Sequence, residues 1–224
     1  MFGRRKVEEI KDVTTLADMV DFSLLDPRAI EKDIHTLVNV AIKNKYYAIC
    51  INSSNVLTAK NYIQNTLGTE LTIVSVVGFP LGACSLATKV AEAKQALQDG
   101  ADELDVVINI GKLKDGDFNY VKNELSRIVR VSRGRIVKAI IETCYLNREE
   151  IKLACRACEK AKVDFIKTST GYGTGGATVE DVYFIKECVK GKIAIKASGG
   201  IRTREQAEEL IRAGATRIGS SRTI

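Results

Sequence analysis

Strand-length apolar runs alternate with helix-patterned segments from one end of the chain to the other. That alternation restricts the fold more than any other feature, because it is the signature of βα units around a parallel sheet. Strands are expected at Val20–Leu24, Tyr46–Ile51, Leu71–Val77, Glu103–Asn109, Ile136–Ile141, Val163–Lys167, Lys192–Ala197 and Thr216–Gly219. A helix beginning near Thr14 precedes the first of them. Between the strands, Asp26 caps and Pro27 opens one helix, and a second runs from Ser54 to Leu67 with Gly68 as its stop. Others extend from the Gly78–Gly82 loop to Gln98, from Phe118 to Val131, from the cap Asn147 to Lys160, from Val179 to Val189, and from the cap Thr203 to Gly214. Eight strands in 224 residues, with the eighth helix reduced to a stub, fit a closed (β/α)8 TIM barrel better than an open doubly wound sheet. No linker interrupts the pattern, so residues 1–224 read as one domain.

Composition narrows the class of function. The formal charge of +6 is spread along the chain, and the longest basic run is Arg4-Arg5-Lys6. A nucleic-acid binder would concentrate its basic surface and interleave aromatics, so nucleic acid is not an expected partner; an anionic small substrate is. No apolar run is long enough to span a membrane. Six scattered cysteines without a signal-peptide pattern point to reduced thiols in a cytoplasm. Cys155 and Cys158 have metal or redox spacing, but they fall mid-helix without a second ligand pair, so the spacing reads as coincidence.

The informative residues are charges inside apolar strands. Strand 7 reads I-A-I-K-A-S-G-G, and its period of two groups Lys196 with Ala194 and Ser198, opposite Ile193, Ile195 and Ala197. Bulky isoleucines suit the helix-facing side, so Lys196 should point into the barrel. The same parity groups Lys167 with Phe165 and Ser169, while strands 5 and 4 add Lys138 and Asp105. Any one of these lysines could snorkel to solvent at a strand end. Together they argue for chemistry, because burying several charges costs several kcal/mol each unless they are paired. Neighbouring ammoniums disfavour one another's protonation, and a free amine on a rigid strand is a Schiff-base nucleophile.

Glycine-rich segments follow strands 7 and 8, at Ser198-Gly199-Gly200 and Gly219-Ser220-Ser221-Arg222. Barrels often hold phosphate between these two loops, where backbone N–H groups can approach an anion. The run Gly171–Gly176 has the wrong spacing and position for a nucleotide fingerprint. No cofactor is implied. The sole histidine, His35, lies on the first barrel helix, and a zinc or iron aldolase would need imidazole ligands that the chain lacks.

Several strings carry a family resemblance: V-V-G-F-P-L-G (76–82), E-L-D-V-V-I-N-I-G (103–111), K-A-I-I-E-T-C-Y-L (138–146), F-I-K-T-S-T-G (165–171), G-T-G-G-A-T-V-E-D-V (173–182), K-A-S-G-G-I-R-T (196–203) and A-G-A-T-R-I-G-S-S (213–221). In this order they resemble the deoxyribose-phosphate aldolases over about residues 18–222. The resemblance implies metal-free, reversible cleavage of 2-deoxy-D-ribose 5-phosphate to acetaldehyde and D-glyceraldehyde 3-phosphate. It assigns the Schiff base to Lys167, pKa depression and proton transfer to Lys196, and acid/base work to Asp105. Lys138, Asp21 and Cys50 match supporting positions. Thr170 and Gly171 join Gly199, Gly200, Gly219, Ser220 and Ser221 as candidate substrate and phosphate contacts. A homo-oligomer, dimer or tetramer, is expected. Two positions depart from the family pattern: Phe22 stands where relatives commonly have histidine, and Arg222 follows Ser221 where they usually have glycine. Arg222 could strengthen phosphate binding or face solvent. Another Schiff-base aldolase with a different donor, or a sugar-phosphate binder without turnover, are the competing readings.

Overall fold

The computed structural model describes residues 15–224. Eight strands are paired in parallel, each with the next, and β8 returns to β1 to close a barrel. They are β1 (Val20–Leu24), β2 (Ala48–Ile51), β3 (Thr72–Val77), β4 (Glu103–Val107), β5 (Ile136–Ile140), β6 (Phe165–Lys167), β7 (Ala194–Ser198) and β8 (Arg217–Ser220). Parity sorts their side chains as the sequence predicts. Ile193, Ile195 and Ala197 join the apolar layer beneath the helices, whereas the buried Lys196 lies on the opposite side of β7. Inside the barrel, Ala48, Cys50, Val74 and Val76 of β2 and β3 form a separate small apolar cluster, and Phe165 of β6 is buried beside Lys138 and Arg217.

The outer layer comprises α1 (Glu31–Lys43), α2 (Val56–Asn61), α3 (Leu86–Gln98), α4 (Ile110–Lys114), α5 (Phe118–Val131), α6 (Arg148–Ala161), α7 (Val179–Val189) and α8 (Arg204–Ala213). Each long helix buries one stripe. On α6 the stripe is Ile151, Ala154, Cys155, Ala157, Cys158 and Ala161, the three-and-four spacing of one helical face. Asn147 caps it by accepting the Glu150 N–H, and Thr203 caps α8 by accepting that of Gln206.

Four sequence expectations change. The helix expected at Asp26 and Pro27 begins at Glu31, because Asp26 is occupied locally: its carboxylate accepts the Arg28 N–H and guanidinium, and its carbonyl accepts the Ala29 N–H. Beyond β4 the chain does not stay extended to Asn109. The Asn109 side chain accepts the Lys112 N–H and starts the short α4, which pattern reading passed over. Of the N-terminal helix, the described part is a 3-10 turn, Leu16–Met19; its expected start at Thr14 lies outside the described residues, as does the Arg4–Lys6 run. The stub after β8 is shorter still, since residues 221–224 contain no helical turn. The Ser54–Leu67 segment is helical up to Thr66, with a π-helical stretch at Tyr62–Thr66.

One ion pair outside the barrel ties the helices to β4. Lys89 Nζ lies 2.7 Å from both Glu124 Oε1 and the Val107 carbonyl, and Glu124 Oε2 accepts the Asn109 N–H at 2.9 Å. Both side chains are fully buried. Removing one partner strands the other charge away from water. Lys89→Met is therefore expected to cost about 3–5 kcal/mol in chemical denaturation. A loss under about 1 kcal/mol, the value of a surface pair, would show that the pair contributes no more than an exposed one.

Candidate active site

Barrel closure brings together charges that are far apart in sequence. The register pairs Asp105 with Lys138 across β4 and β5, and Lys167 with Lys196 across β6 and β7. At the centre is Asp105. Its Oδ1 accepts Lys138 Nζ at 2.9 Å, and its Oδ2 accepts both Lys167 Nζ at 2.8 Å and Lys196 Nζ at 2.7 Å. Lys196 also donates to Asp21 Oδ2, and Lys138 meets Glu103 Oε2 at 2.5 Å. Cys50 Sγ is 3.9 Å from Asp105 Oδ2. Asp21, Asp105, Lys138 and Lys196 are completely buried; Lys167 is 3% exposed, the only one of the three lysines with any access to solvent.

These contacts set the protonation states. Burial by itself would raise the Asp105 carboxyl, but Lys138, Lys167 and Lys196 overcome it and hold the group well below the usual carboxylate range. Asp21 is lowered in the same way by Lys196, Arg217 and Lys138 against its burial. Burial pulls the Lys196 ammonium down, yet Asp105 and Asp21 raise it above an ordinary lysine. Lys138 is likewise raised, by Asp105 and Glu103. Burial raises the Cys50 thiol, so this group is a neutral neighbour of the carboxylate. Lys138 and Lys196 are thus held as ammoniums in the resting site.

Three members of the cluster were missed by the sequence reading. Arg217 Nη1 donates to Asp21 Oδ1 at 2.9 Å and lies 3.4 Å from Glu103 Oε2. Its guanidinium stacks 3.6 Å from the centroid of Tyr47, whose hydroxyl donates to Glu103 Oε1 at 2.9 Å. The signal was present: Glu103 stands two residues before Asp105 and Arg217 two before Gly219, so each shares the inward parity at the start of its strand.

Around the strand ends the expected contacts divide. Gly171, Gly199 and Gly200 have positive φ values of 86°, 88° and 77°. A Cβ on Gly199 would sit 3.3 Å from the Gly171 Cα, and one on Gly219 would sit 3.2 Å from Lys196 Cε, so glycine is needed at both places. The Thr170 hydroxyl donates to Glu142 and accepts the Tyr172 N–H, which makes it an anchor of its own loop. Glu142 was not foreseen; it is buried, at φ 54°, and also accepts the Thr170 N–H. The buried Ser220 hydroxyl accepts the Arg222 N–H at 3.1 Å, while Ser221 and Arg222 are exposed. A cleft of about 440 Å³ opens over β1, β2 and β3, lined by Leu25, Asn52, Phe79 and Tyr172 among others.

The remaining candidates lie elsewhere. Phe22 faces the helix layer and packs on Tyr46 with ring centroids 5.4 Å apart, so this departure from the family pattern does not enter the barrel, whereas Asp21 does. His35 stacks on Tyr62 at 3.8 Å, on the outer surface of α1. Cys155 and Cys158 are free and buried in α6; burial pushes the Cys158 thiol up to about 12, which makes it a poor nucleophile. Among the described residues no helix is long and apolar enough to cross a membrane.

Comparison with known proteins identifies the family and agrees with the fold. Residues 9–221 match the family described as DeoC/LacD family aldolase. A deoxyribose-phosphate aldolase of Thermococcus kodakarensis is 52% identical over 92% of this chain and 92% of its own. One from Clostridium botulinum (strain Okra) is 48% identical over 92% of this chain and 96% of its own. Among solved structures, the tetrameric deoxyribose phosphate aldolase of Aeropyrum pernix superposes with a TM-score of 0.84 at 33% identity, over 92% of this chain and 86% of that one.

Proposed function

The chain belongs to the DeoC/LacD aldolase family, and from that premise we propose that Lys167 is the amine through which it works. It is a class I aldolase that reversibly cleaves 2-deoxy-D-ribose 5-phosphate to acetaldehyde and D-glyceraldehyde 3-phosphate. The observation that carries the assignment of Lys167 is its position: it is the one lysine of the buried cluster that reaches solvent, with a carboxylate and a second lysine against it.

In this reading the Lys167 amine adds to C1 of the open-chain sugar, and the carbinolamine loses water to give an iminium, with the Lys196 ammonium supplying the departing hydroxyl with a proton. The C2–C3 bonding pair then flows into the iminium while Asp105 takes the proton of the C3 hydroxyl. C3 leaves as the aldehyde of glyceraldehyde 3-phosphate, and the nitrogen becomes a neutral enamine. Collapse of the iminium removes one of the cations that suppress the basicity of Asp105, so the carboxylate gains proton affinity as the proton arrives. The enamine carbon C2 next takes a proton, and water hydrolyses the resulting iminium to acetaldehyde and free Lys167.

In this reading the phosphate binds at the glycine turns after β7 and β8, Gly199-Gly200 and Gly219-Ser220-Ser221, where Gly199 and Gly200 take positive φ and the space beside Gly200 is open. The residues 1–224 act as one domain, and the assembly is a homo-oligomer, as the tetrameric relative suggests. Free cysteines support a cytoplasmic setting. No imidazole adjoins the lysines, and the electron sink is the iminium, so cleavage is expected to survive excess EDTA unchanged. Loss of activity that added zinc restored would contradict the amine mechanism. Supplying acetaldehyde, pyruvate or dihydroxyacetone phosphate as donors with glyceraldehyde 3-phosphate should give product with acetaldehyde alone.

A further inference from the structure

We infer that Arg217 is a positioning residue for the reaction, acting by its charge: it gives the buried cluster a surplus of one cation, which Lys167 relieves by releasing its proton. The inference rests on Lys167 being the reacting amine. Around Lys167 the barrel supplies Asp21 from β1, Cys50 and the preceding Tyr47 from β2, Glu103 and Asp105 from β4, Lys138 from β5, Lys196 from β7 and Arg217 from β8. From β3 only Val74 and Val76 face this space. With every base protonated, four cations meet three carboxylates.

A buried group of ions is least costly when its net charge is zero, because a residual charge loses hydration that nothing inside the barrel returns. One proton must therefore leave, and the contacts determine which. Arginine does not deprotonate, and Arg217 is fixed between Asp21, Glu103 and the Tyr47 ring. Lys138 has carboxylate oxygens of Glu103 and Asp105 within 2.9 Å and Asp21 at 3.8 Å. Lys196 holds both Asp21 and Asp105. Lys167 has Asp105 alone, shared with Lys196 at the same oxygen, and it is the lysine that water reaches. Lys196 provides the adjacent repulsion, but without Arg217 the three lysines and three carboxylates would already balance with Lys167 protonated.

A purely structural role for Arg217 predicts that loss of either end of its ion pair does similar damage. The charge count predicts opposite effects. Acetaldehyde and borohydride are added to wild type, Arg217→Gln, Glu103→Gln and the double variant, and the initial rate of adduct formation is measured against pH; because borohydride decay at each pH is common to all four, it cancels in their ratios. Arg217→Gln is expected to move the half-maximal pH up by about one unit and Glu103→Gln to move it down by about as much. The double variant, which again has one surplus cation, should return near wild type. Two single variants that shift in the same direction, or a Glu103→Gln profile that coincides with wild type, would overturn the inference. Glu103→Gln is nearly isosteric, so this arm decides the matter even if Arg217→Gln fails to fold. Peptide mapping of the wild-type adduct separates the two claims: an adduct away from Lys167 refutes the assignment of the nucleophile, whereas an adduct on Lys167 with unresponsive profiles refutes the charge surplus alone.

Discussion

Asp105→Asn lowers turnover of deoxyribose 5-phosphate by about 10²-fold or more, the usual cost of removing a general acid/base. The expectation comes from the geometry of one carboxylate that accepts three lysines, two of them on the same oxygen. Asparagine keeps the shape and can still accept a hydrogen bond, but it cannot take the C3 hydroxyl proton when the C–C bond breaks. It also leaves the cluster with a larger positive surplus, so imine formation should persist, and at lower pH than in wild type. The discriminating result is thus a split: acetaldehyde is still trapped by borohydride while cleavage is lost. Circular dichroism and thermal unfolding establish that the protein compared is folded, since removing a buried carboxylate also costs stability. Near-normal turnover in a folded variant would move the proton transfer to another group.

Lys196→Leu is expected to affect both steps. Lys196 is held as an ammonium by Asp21 and Asp105, against the pull of its burial, so it is not itself the source of free amine. Its removal takes one cation from beside Lys167, and the amine-limited limb of the trapping profile should move up by about one pH unit or more. Leucine also removes the nearest proton donor to the carbinolamine, so turnover should fall by about 10²-fold even at the new optimum. Trapping requires the imine but not C–C cleavage, so the two losses can be read separately. An unchanged trapping profile in a folded protein would assign activation of Lys167 to burial or to Lys138 and contradict the charge count, leaving Lys196 the proton-transfer role.

The barrel was legible because strand-length apolar runs alternate with helix-patterned segments, and the direction of Lys196 because β7 obeys a two-residue parity: isoleucine outward, Lys196 inward. That rule also groups Lys167 with Phe165 and Ser169, while Lys138 and Asp105 stand out as charges within apolar runs. It was not carried to the starts of β4 and β8, where Glu103 and Arg217 sit at the same parity but outside the motifs that drew notice. Glu142 was hidden for another reason. It lies just past β5 in a left-handed conformation, and no sequence pattern marks a glutamate that will fold back onto Thr170. Helix starts were the least readable feature. Asp26 and Pro27 have the composition of a cap, but an arginine two residues later captures the carboxylate first, and the helix waits until Glu31. The family departures show what sequence comparison alone leaves open: Phe22 differs from its relatives on a residue adjacent to Asp21, yet it lies on the other side of the sheet.

The central claim is that Lys167 forms the imine, and chemical trapping addresses it without any assumption about rates. Incubation with deoxyribose 5-phosphate or acetaldehyde in the presence of borohydride should fix a stable secondary amine, because only an imine is reduced to one. Peptide mapping by mass spectrometry is expected to place the added mass on Lys167, and Lys167→Leu should show neither adduct nor cleavage. An adduct found solely on Lys138, Lys196 or a surface lysine, or full activity in Lys167→Leu, would contradict the account.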